Sequence, residues 1–252
     1  MNSPKKNAVK DRRDISHFVV HLTRDDTSDF TDGGSAKSNF EAIIEDRRIC
    51  AYQPHCIHAS EIPESLLKKY SVACFTEVPL TQIHLLTKFI QGRKIQLQPF
   101  GLVFSREFII SKGAQPAIYI NSYGKNTFLR EAADSICEIA RKRKFKSGKV
   151  WRFLPYLNAM HERYDFTWER EWRVCGDVQF TPSDVVSVIL PSTGYEDLRQ
   201  KFALKGIPVL TPGLSYEEII NEFSRQQRKT KSIWVERKNK VRRLKSKKIT
   251  TT

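Results

Sequence analysis

The sequence has no apolar run near the roughly 20 residues that a membrane-spanning helix needs, which leaves no candidate span. Its first residues, MNSPKKNAVKDRRD, lack the apolar stretch of a secretory signal. The five cysteines are odd in number and include no CxxC pair. This usage argues against a disulfide scaffold and favours a reducing environment, so we expect a cytoplasmic protein.

Several ligand-binding and catalytic motifs are also missing. Neither GxGxxG nor GxxxxGK[ST] occurs, which excludes the simplest dinucleotide-binding and ATP-binding loops. The absence of GxSxG excludes a serine hydrolase elbow. Cys50, His55, Cys56 and His58 lie within nine residues, but their spacing fits no familiar zinc finger. We therefore predict no metal site.

The positive charge is concentrated at the two ends of the chain. The net charge of +15 divides into +4 for residues 1–13, +11 for residues 225–252 and zero for residues 14–224. Lys and Arg near phosphates release condensed counterions, so the pattern predicts contact of the tails with nucleic acid or an acidic protein. A solvated tail that only aids solubility is the alternative. The expected nucleic-acid contacts are Arg237, Lys238, Lys240, Arg242, Arg243, Lys245, Lys247 and Lys248.

The sequence pattern of residues 14–224 predicts one α+β domain. It is flanked by a basic N-terminal tail (1–13) and a basic C-terminal tail (225–252). Short β-branched and apolar runs predict strands at 17–23, 72–77, 101–105, 116–120, 168–180, 185–190 and 207–211. Between these strands, apolar residues recur at helical spacing, which predicts helices. Ser38 and Glu41 have capping-box spacing and predict the start of the first helix.

The run Trp168–Val174 contains the strongest candidates for catalytic side chains. As a strand it would place Glu169, Glu171 and Arg173 on one face, with the carboxylates roughly 7 Å apart, and the tryptophans on the other. A paired-carboxylate row suits chemistry that develops positive charge on a sugar. A salt-bridge ladder at the surface is the alternative.

Three further segments, HLTR (21–24), CFTE (74–77) and EREWRV (169–174), together resemble the ADP-ribosyltransferase fold. That fold has a first-strand His or Arg, a second-strand Ser, Thr or Tyr, and a late Glu. The order of segments over about residues 15–190 also looks like the AbiGi family of abortive phage-resistance proteins. The resemblance implies a central mixed or antiparallel split sheet and NAD as the substrate.

The resemblance also implies roles for individual residues. Glu171 would be the catalytic carboxylate, and Glu169 would position the acceptor. On the first strand, His21 would bond a ribose of NAD, Thr23 would support the strand end and Arg24 would meet the pyrophosphate. On the second strand, Thr76 and its neighbour Phe75 would lie near the nicotinamide.

Two other functions stay open. Cys-Phe-Thr departs from the tyrosine or STS triplet of the family, and some AbiGi-type proteins are described as antitoxins. The chain is therefore also compatible with a non-enzymatic antitoxin or regulator that binds nucleic acid or a toxin partner through its tails. A metal-dependent nuclease is the third hypothesis, if Asp25, Asp26, Glu169, Glu171 and Asp177 converge in space.

Overall fold

The computed structural model describes residues 16–26, 34–53, 58–91, 95–123, 125, 127–144, 150–160 and 166–226. In these ranges the strands are β1 (Phe18–Arg24), β2 (Arg48–Ile49), β3 (Val72–Thr76), β4 (Leu97–Ser105), β5 (Gln115–Pro116), β6 (Ile118–Asn121), β7 (Leu157–Met160), β8 (Glu171–Cys175), β9 (Val178–Gln179), β10 (Val185–Ile189) and β11 (Val209–Leu210). The helices are α1 (Ala36–Asp46), α2 (Leu67–Tyr70), α3 (Ile83–Thr87), α4 (Arg106–Ser111), α5 (Phe128–Lys142), α6 (Glu196–Leu204) and α7 (216–226).

Seven strands form one mixed sheet in the order β11-β10-β4-β1-β3-β8-β5. Every pairing in it is antiparallel except that of β10 with β11. Two small sheets, β2 with β9 and β6 with β7, lie outside it. The predicted mixed α/β architecture is confirmed at this level.

Both faces of the central sheet are covered, which follows from the near-continuous apolar character of its inner strands. On one face Phe40 of α1, Ile109 of α4 and Phe202 of α6 pack against Leu102 and Phe104 of β4. On the other face the apolar cluster joins α3 and α7 to the sheet through Ile83, Leu86, Ile219, Val20 and Val103. A third cluster lies under α5.

The first helix starts earlier than the capping-box prediction. Ser35, not Ser38, is the N-cap, and its hydroxyl accepts a hydrogen bond from the Ser38 backbone N–H. The Asp25 carboxylate accepts another from the Ala36 N–H at 2.8 Å, so the loop after β1 fixes the helix start. Glu41 pairs with Lys37 instead of reaching back to the cap.

The prediction that a strand begins at residue 168 is also wrong. Residues Thr167–Glu169 form a 3₁₀ turn, and Arg170 adopts a left-handed conformation with φ 48°. The strand starts only at Glu171, so Glu169 and Glu171 do not form a carboxylate row on one strand. From Glu171 to Cys175 the predicted alternation holds, because Trp172 packs on the core while Arg173 points to the other face.

The two charged tails lie outside the described residues, apart from the first residues of the C-terminal one. Helix α7 includes Arg225 and Gln226, and the Gln226 amide donates to the Ala203 carbonyl at 2.7 Å. Among the described helices, none has the length and apolar character needed to cross a membrane.

Gly101 offers a test of how closely β1 and β4 approach each other. A Cβ at this position would lie 2.6 Å from the His21 carbonyl oxygen and 2.8 Å from Cδ2 of Leu22. A backbone oxygen inside a ladder cannot move aside freely, so we predict that Gly101→Ala lowers the free energy of unfolding by about 1–3 kcal/mol. Urea denaturation measures this. Gln98→Ala on the same strand, our control, should change it by less than about 0.5 kcal/mol.

Candidate functional site

The turn that precedes β8 is held by the end of β3. The Thr76 hydroxyl donates to the Glu169 carbonyl oxygen at 2.5 Å, and the Glu77 N–H donates to the Arg170 carbonyl oxygen at 3.1 Å. In the sheet, Thr76 is the direct strand partner of Glu171. The left-handed residue before Glu171 is thus stabilised by tertiary bonds, and the position of Glu171 is fixed from β3.

A second carboxylate, that of Glu77, supports the same turn from the core side. Its side chain is 7% exposed and lies 2.8 Å from the Arg106 guanidinium and 3.5 Å from that of Arg170. The Trp172 indole N–H also donates to it, at 3.2 Å. A buried carboxylate with this set of donors is well satisfied, so Glu77 acts as a structural anchor.

Glu171 forms a two-pronged ion pair with Arg173, its neighbour on the same face of β8. Nε of Arg173 lies 2.9 Å from one carboxylate oxygen and its terminal nitrogen lies 2.8 Å from the other. The side chains are 16% and 2% exposed, respectively. A further bond, from Arg173 to the Pro155 carbonyl oxygen at 2.5 Å, fixes the guanidinium from its other side. Geometry of this kind gives the carboxylate one defined orientation.

The ion pair keeps Glu171 charged. Burial alone would raise the pKa of its carboxyl group, but the charge and hydrogen bonds of Arg173 more than offset burial and hold the pKa below its ordinary value. Conversely, desolvation by the neighbouring protein atoms and the Glu171 charge raise the pKa values of the Cys74 thiol and the Tyr119 hydroxyl. At neutral pH the site therefore contains one anion, one cation and two neutral weak acids.

Tyr119 and Cys74 complete the surroundings of the carboxylate. The Tyr119 hydroxyl donates to Glu171 across 3.4 Å, a long contact. Cys74 is the strand partner of Arg173 and is an exposed residue of β3. The carboxylate thus lies beside a solvent-accessible part of β3.

Next to this position the central sheet is weakly joined. Strands β1 and β3 pair at one position, Val20 with Thr76. At the start of β3, Val72 pairs with Tyr52 and not with β1, and two backbone hydrogen bonds of 3.0 and 2.8 Å join the two residues. The His21 ring crosses from β1 to β3, where Nδ1–H donates to the Cys74 carbonyl oxygen at 2.8 Å. We call the region between His21–Arg24 and Val72–Cys74 the β1/β3 gap.

His21 is held neutral in this gap. Burial lowers the pKa of its imidazole, the bond to Cys74 opposes this effect, and the nearby charge of Arg24 lowers the pKa further. Because Nδ1 carries the proton that reaches Cys74, the neutral ring has its lone pair on Nε2. The ring packs against Phe75 with a centroid separation of 5.7 Å.

Strand register decides which predicted residues share a face. Thr76 and Glu171 are strand partners, as are Val20 and Thr76, so these side chains project to one face of the sheet. His21 follows Val20 and lies on the other face, with Phe75. The structure therefore brings the three predicted residues onto adjacent strands, but the imidazole and the carboxylate are not in contact.

The other predicted ligand-binding residues have structural partners. The Thr23 hydroxyl is buried and shares its one proton between the carbonyl oxygens of Ala36 at 2.7 Å and Phe100 at 3.2 Å, which ties β1 to α1 and β4. The Phe75 ring is 2% exposed and packs edge-on against Phe104 in the core. Arg24 is partly exposed at the end of β1, and its charge influences both His21 and Cys74.

The acidic residues of the nuclease hypothesis do not converge. Asp25 caps α1, and Asp177 accepts from the Ala51 N–H and pairs with Arg48. Within the described ranges, the one group of three or more potential metal ligands is His58, Glu61 and Cys137. The sequence did not indicate this group, since its members come from separate segments.

Comparison of the chain with known protein families, with curated proteins and with solved structures finds no match.

Arg173 provides a test of the ion pair. Replacing it with methionine leaves a largely buried carboxylate without its counter-charge, so we predict that Arg173→Met lowers the free energy of unfolding by about 3–5 kcal/mol. Chemical denaturation measures the loss. The double variant Glu171→Gln with Arg173→Met should recover part of it, because no buried charge then remains. Arg225→Met, which removes an exposed ion pair with Glu222, serves as the control and should cost less than about 1 kcal/mol.

Proposed function

We propose that this chain is a cytoplasmic phage-defence protein with an ADP-ribosyltransferase-like domain, which transfers ADP-ribose from NAD to a protein or nucleic-acid acceptor. The observation that carries this proposal is the Glu171 carboxylate. It is ionised, has one orientation and lies on β8 opposite Thr76 of β3, the strand that borders the β1/β3 gap. The sequence resemblance assigns the catalytic role to the same residue.

The chemistry needs an anion of this kind. When the bond between ribose and nicotinamide breaks, its electron pair leaves with nicotinamide and positive charge develops on the ribose. A fixed carboxylate stabilises that charge, and it also accepts a hydrogen bond from a ribose hydroxyl. Arg173 serves this role indirectly, because it keeps Glu171 ionised and immobile. Because the Tyr119 hydrogen bond is long and therefore weak, a ribose hydroxyl could replace it as the donor.

The β1/β3 gap is the place where we propose that the dinucleotide binds. Arg24 is the last residue of β1, and its side chain is partly exposed. A guanidinium at this position can bind the pyrophosphate. His21 spans the gap in the free protein. We infer that binding exchanges its hydrogen bond to Cys74 for one to the ligand, since the ring otherwise occupies the space between the strands. In this proposal Thr76 and Glu169 position the turn before Glu171.

The activity is tested by incubating the full-length protein with NAD and measuring released nicotinamide by chromatography. Glu171→Gln keeps the size of the side chain but removes its charge, and we predict a loss of about 100- to 1,000-fold in the rate. Glu138→Gln is the matched control, since it removes an exposed carboxylate on α5. It should leave the rate unchanged.

Three outcomes separate the hypotheses. An equal rate for Glu171→Gln and the unaltered protein removes the catalytic role, provided that circular dichroism shows both to be folded. Stabilisation of the unaltered protein by NAD in a thermal melt, without release of nicotinamide, indicates an inactive relative that still binds NAD. If NAD neither stabilises the protein nor is consumed, the non-enzymatic antitoxin or regulator is favoured.

That second function is favoured by the charge distribution. Residues 225–252 contain twelve Lys and Arg against Glu236, beside a body without net charge. We propose that this segment, with Arg237, Lys238, Lys240, Arg242, Arg243, Lys245, Lys247 and Lys248 as its densest part, contacts nucleic acid. An acidic toxin partner is the alternative occupant.

Deletion of residues 227–252 tests the role of the tail. Each phosphate contact contributes about 0.9 to the slope of log affinity against log salt concentration. We predict that the truncated protein binds a random DNA duplex more weakly and with a much shallower slope, as measured by fluorescence anisotropy at several salt concentrations. Equal affinity and slope for the two proteins would show that the tail is not the contact.

A further inference from the structure

A cluster of metal-ligating side chains lies apart from Glu171, under α5. Donor atoms of His58, Glu61 and Cys137 are all within 4.8 Å of one another. Nδ1 of His58 lies 3.2 Å from one carboxylate oxygen of Glu61, and the Cys137 sulfur lies 3.4 Å from the other. Bond lengths of 2.0–2.3 Å from zinc to nitrogen, oxygen and sulfur place tetrahedral ligands at similar separations. The three donors therefore already surround a point at which a metal ion fits.

The imidazole and the thiol are enclosed. His58 is 4% exposed and Cys137 is 1% exposed, in a part of the protein where Tyr70, Ala133 and Leu154 form the apolar surroundings. Glu61 is the exposed member and closes the cluster towards solvent. An apolar shell around nitrogen and sulfur donors, with a carboxylate at the entrance, is typical of a site that takes a thiophilic ion from solution.

The second nitrogen of His58 faces a carboxylate, the group to which metal-bound histidines usually donate. Nε2 is buried and lies 3.2 Å from a carboxylate oxygen of Asp134, but the two groups are not aligned as a hydrogen bond, and that oxygen accepts from Nε of Arg130 at 2.9 Å. A ligating histidine commonly gives its other N–H to a carboxylate, which fixes the tautomer and the direction of the ring. We infer that Asp134 accepts this hydrogen bond when a metal ion is bound, which would orient Nδ1 of His58 towards Glu61 and Cys137.

Arg141 is the competing partner of Glu61. Its guanidinium pairs with the carboxylate, and its side chain is 58% exposed. In the metal-free protein this ion pair neutralises Glu61. Because Arg141 lies largely in solvent, its ion pair is weak and it can leave when a divalent cation supplies the charge.

We propose that Nδ1 of His58, a carboxylate oxygen of Glu61 and the thiolate of Cys137 bind one zinc ion, with Asp134 as the positioning residue and a water molecule at the fourth position. Sulfur, nitrogen and oxygen donors in this combination favour zinc over magnesium or calcium. The cysteine releases its proton to solvent on binding. The ion would join the 58–61 segment to α5.

The test uses the full-length protein after removal of metal with a chelator. One equivalent of zinc is returned, and its affinity is measured by competition with a chromogenic chelator. Cobalt(II) in place of zinc reports the thiolate bond through a sulfur-to-metal charge-transfer band. We expect one ion per chain, loss of the band in Cys137→Ser, and a 10- to 100-fold weaker affinity in Asp134→Asn. Cys50→Ser is the matched control, since Cys50 lies outside the cluster, and it should bind like the unaltered protein.

Three results would overturn the proposal. One is no stoichiometric binding by the unaltered protein. Another is an unchanged band and affinity in a folded Cys137→Ser variant, and a loss in Cys50→Ser would then assign the ion to a different set of ligands. If Cys137→Ser does not fold by circular dichroism, Glu61→Gln replaces it, because Glu61 is partly exposed and its substitution spares the core. Unchanged affinity in that variant also overturns the proposal.

Discussion

The burial of one guanidinium governs the arrangement around β8. Arg173 is 1% exposed, and a buried cation must have its charge and its N–H groups satisfied. Glu171 supplies the charge and Pro155 supplies a carbonyl oxygen. These partners link β8 to the 3₁₀ segment Val150–Tyr156, while Tyr119 connects β6 to the same carboxylate. The proposed catalytic anion is thus also part of the protein's structural framework. The packing around Arg173 fixes the orientation of the Glu171 carboxylate, and for this reason a short strand is enough to hold it.

The sequence was most informative where most residues of a strand are apolar and buried. Strands β1, β3 and β10 were predicted because their β-branched residues serve two buried faces at once. The run from Trp168 misled for a physical reason. Its period-two pattern is genuine from Glu171 onwards, but Thr76 and Glu77 capture the backbone of Glu169 and Arg170 in a turn. These partners are more than 90 residues away, so no local pattern could reveal them.

The candidate site was predictable to the level of strands and not to that of side chains. Glu171 and Thr76 were expected around the same bound NAD, and they are direct strand partners. Arg173 was expected at the surface in one interpretation, whereas the structure buries it. The contribution of Cys74, Glu77 and Tyr119 depends on which strands become neighbours, and the convergence of His58 with Cys137 depends on how α5 packs. Such proximity arises from tertiary structure, for which spacing along the chain carries no signal.

The ends of the central sheet have a consequence for self-association. The outermost strands, β11 and β5, contain two residues each, and one of the residues of β5 is Pro116, which has no N–H to donate. Along β11 and β5 themselves, an incoming strand from a second copy would find few free backbone groups to pair with. A sheet that ends in this way resists edge-to-edge aggregation, although its inner strands are as apolar as those of many aggregating segments. The fold can therefore contain a continuous apolar core, even at high protein concentration, without exposing a long strand edge on which fibrils could form.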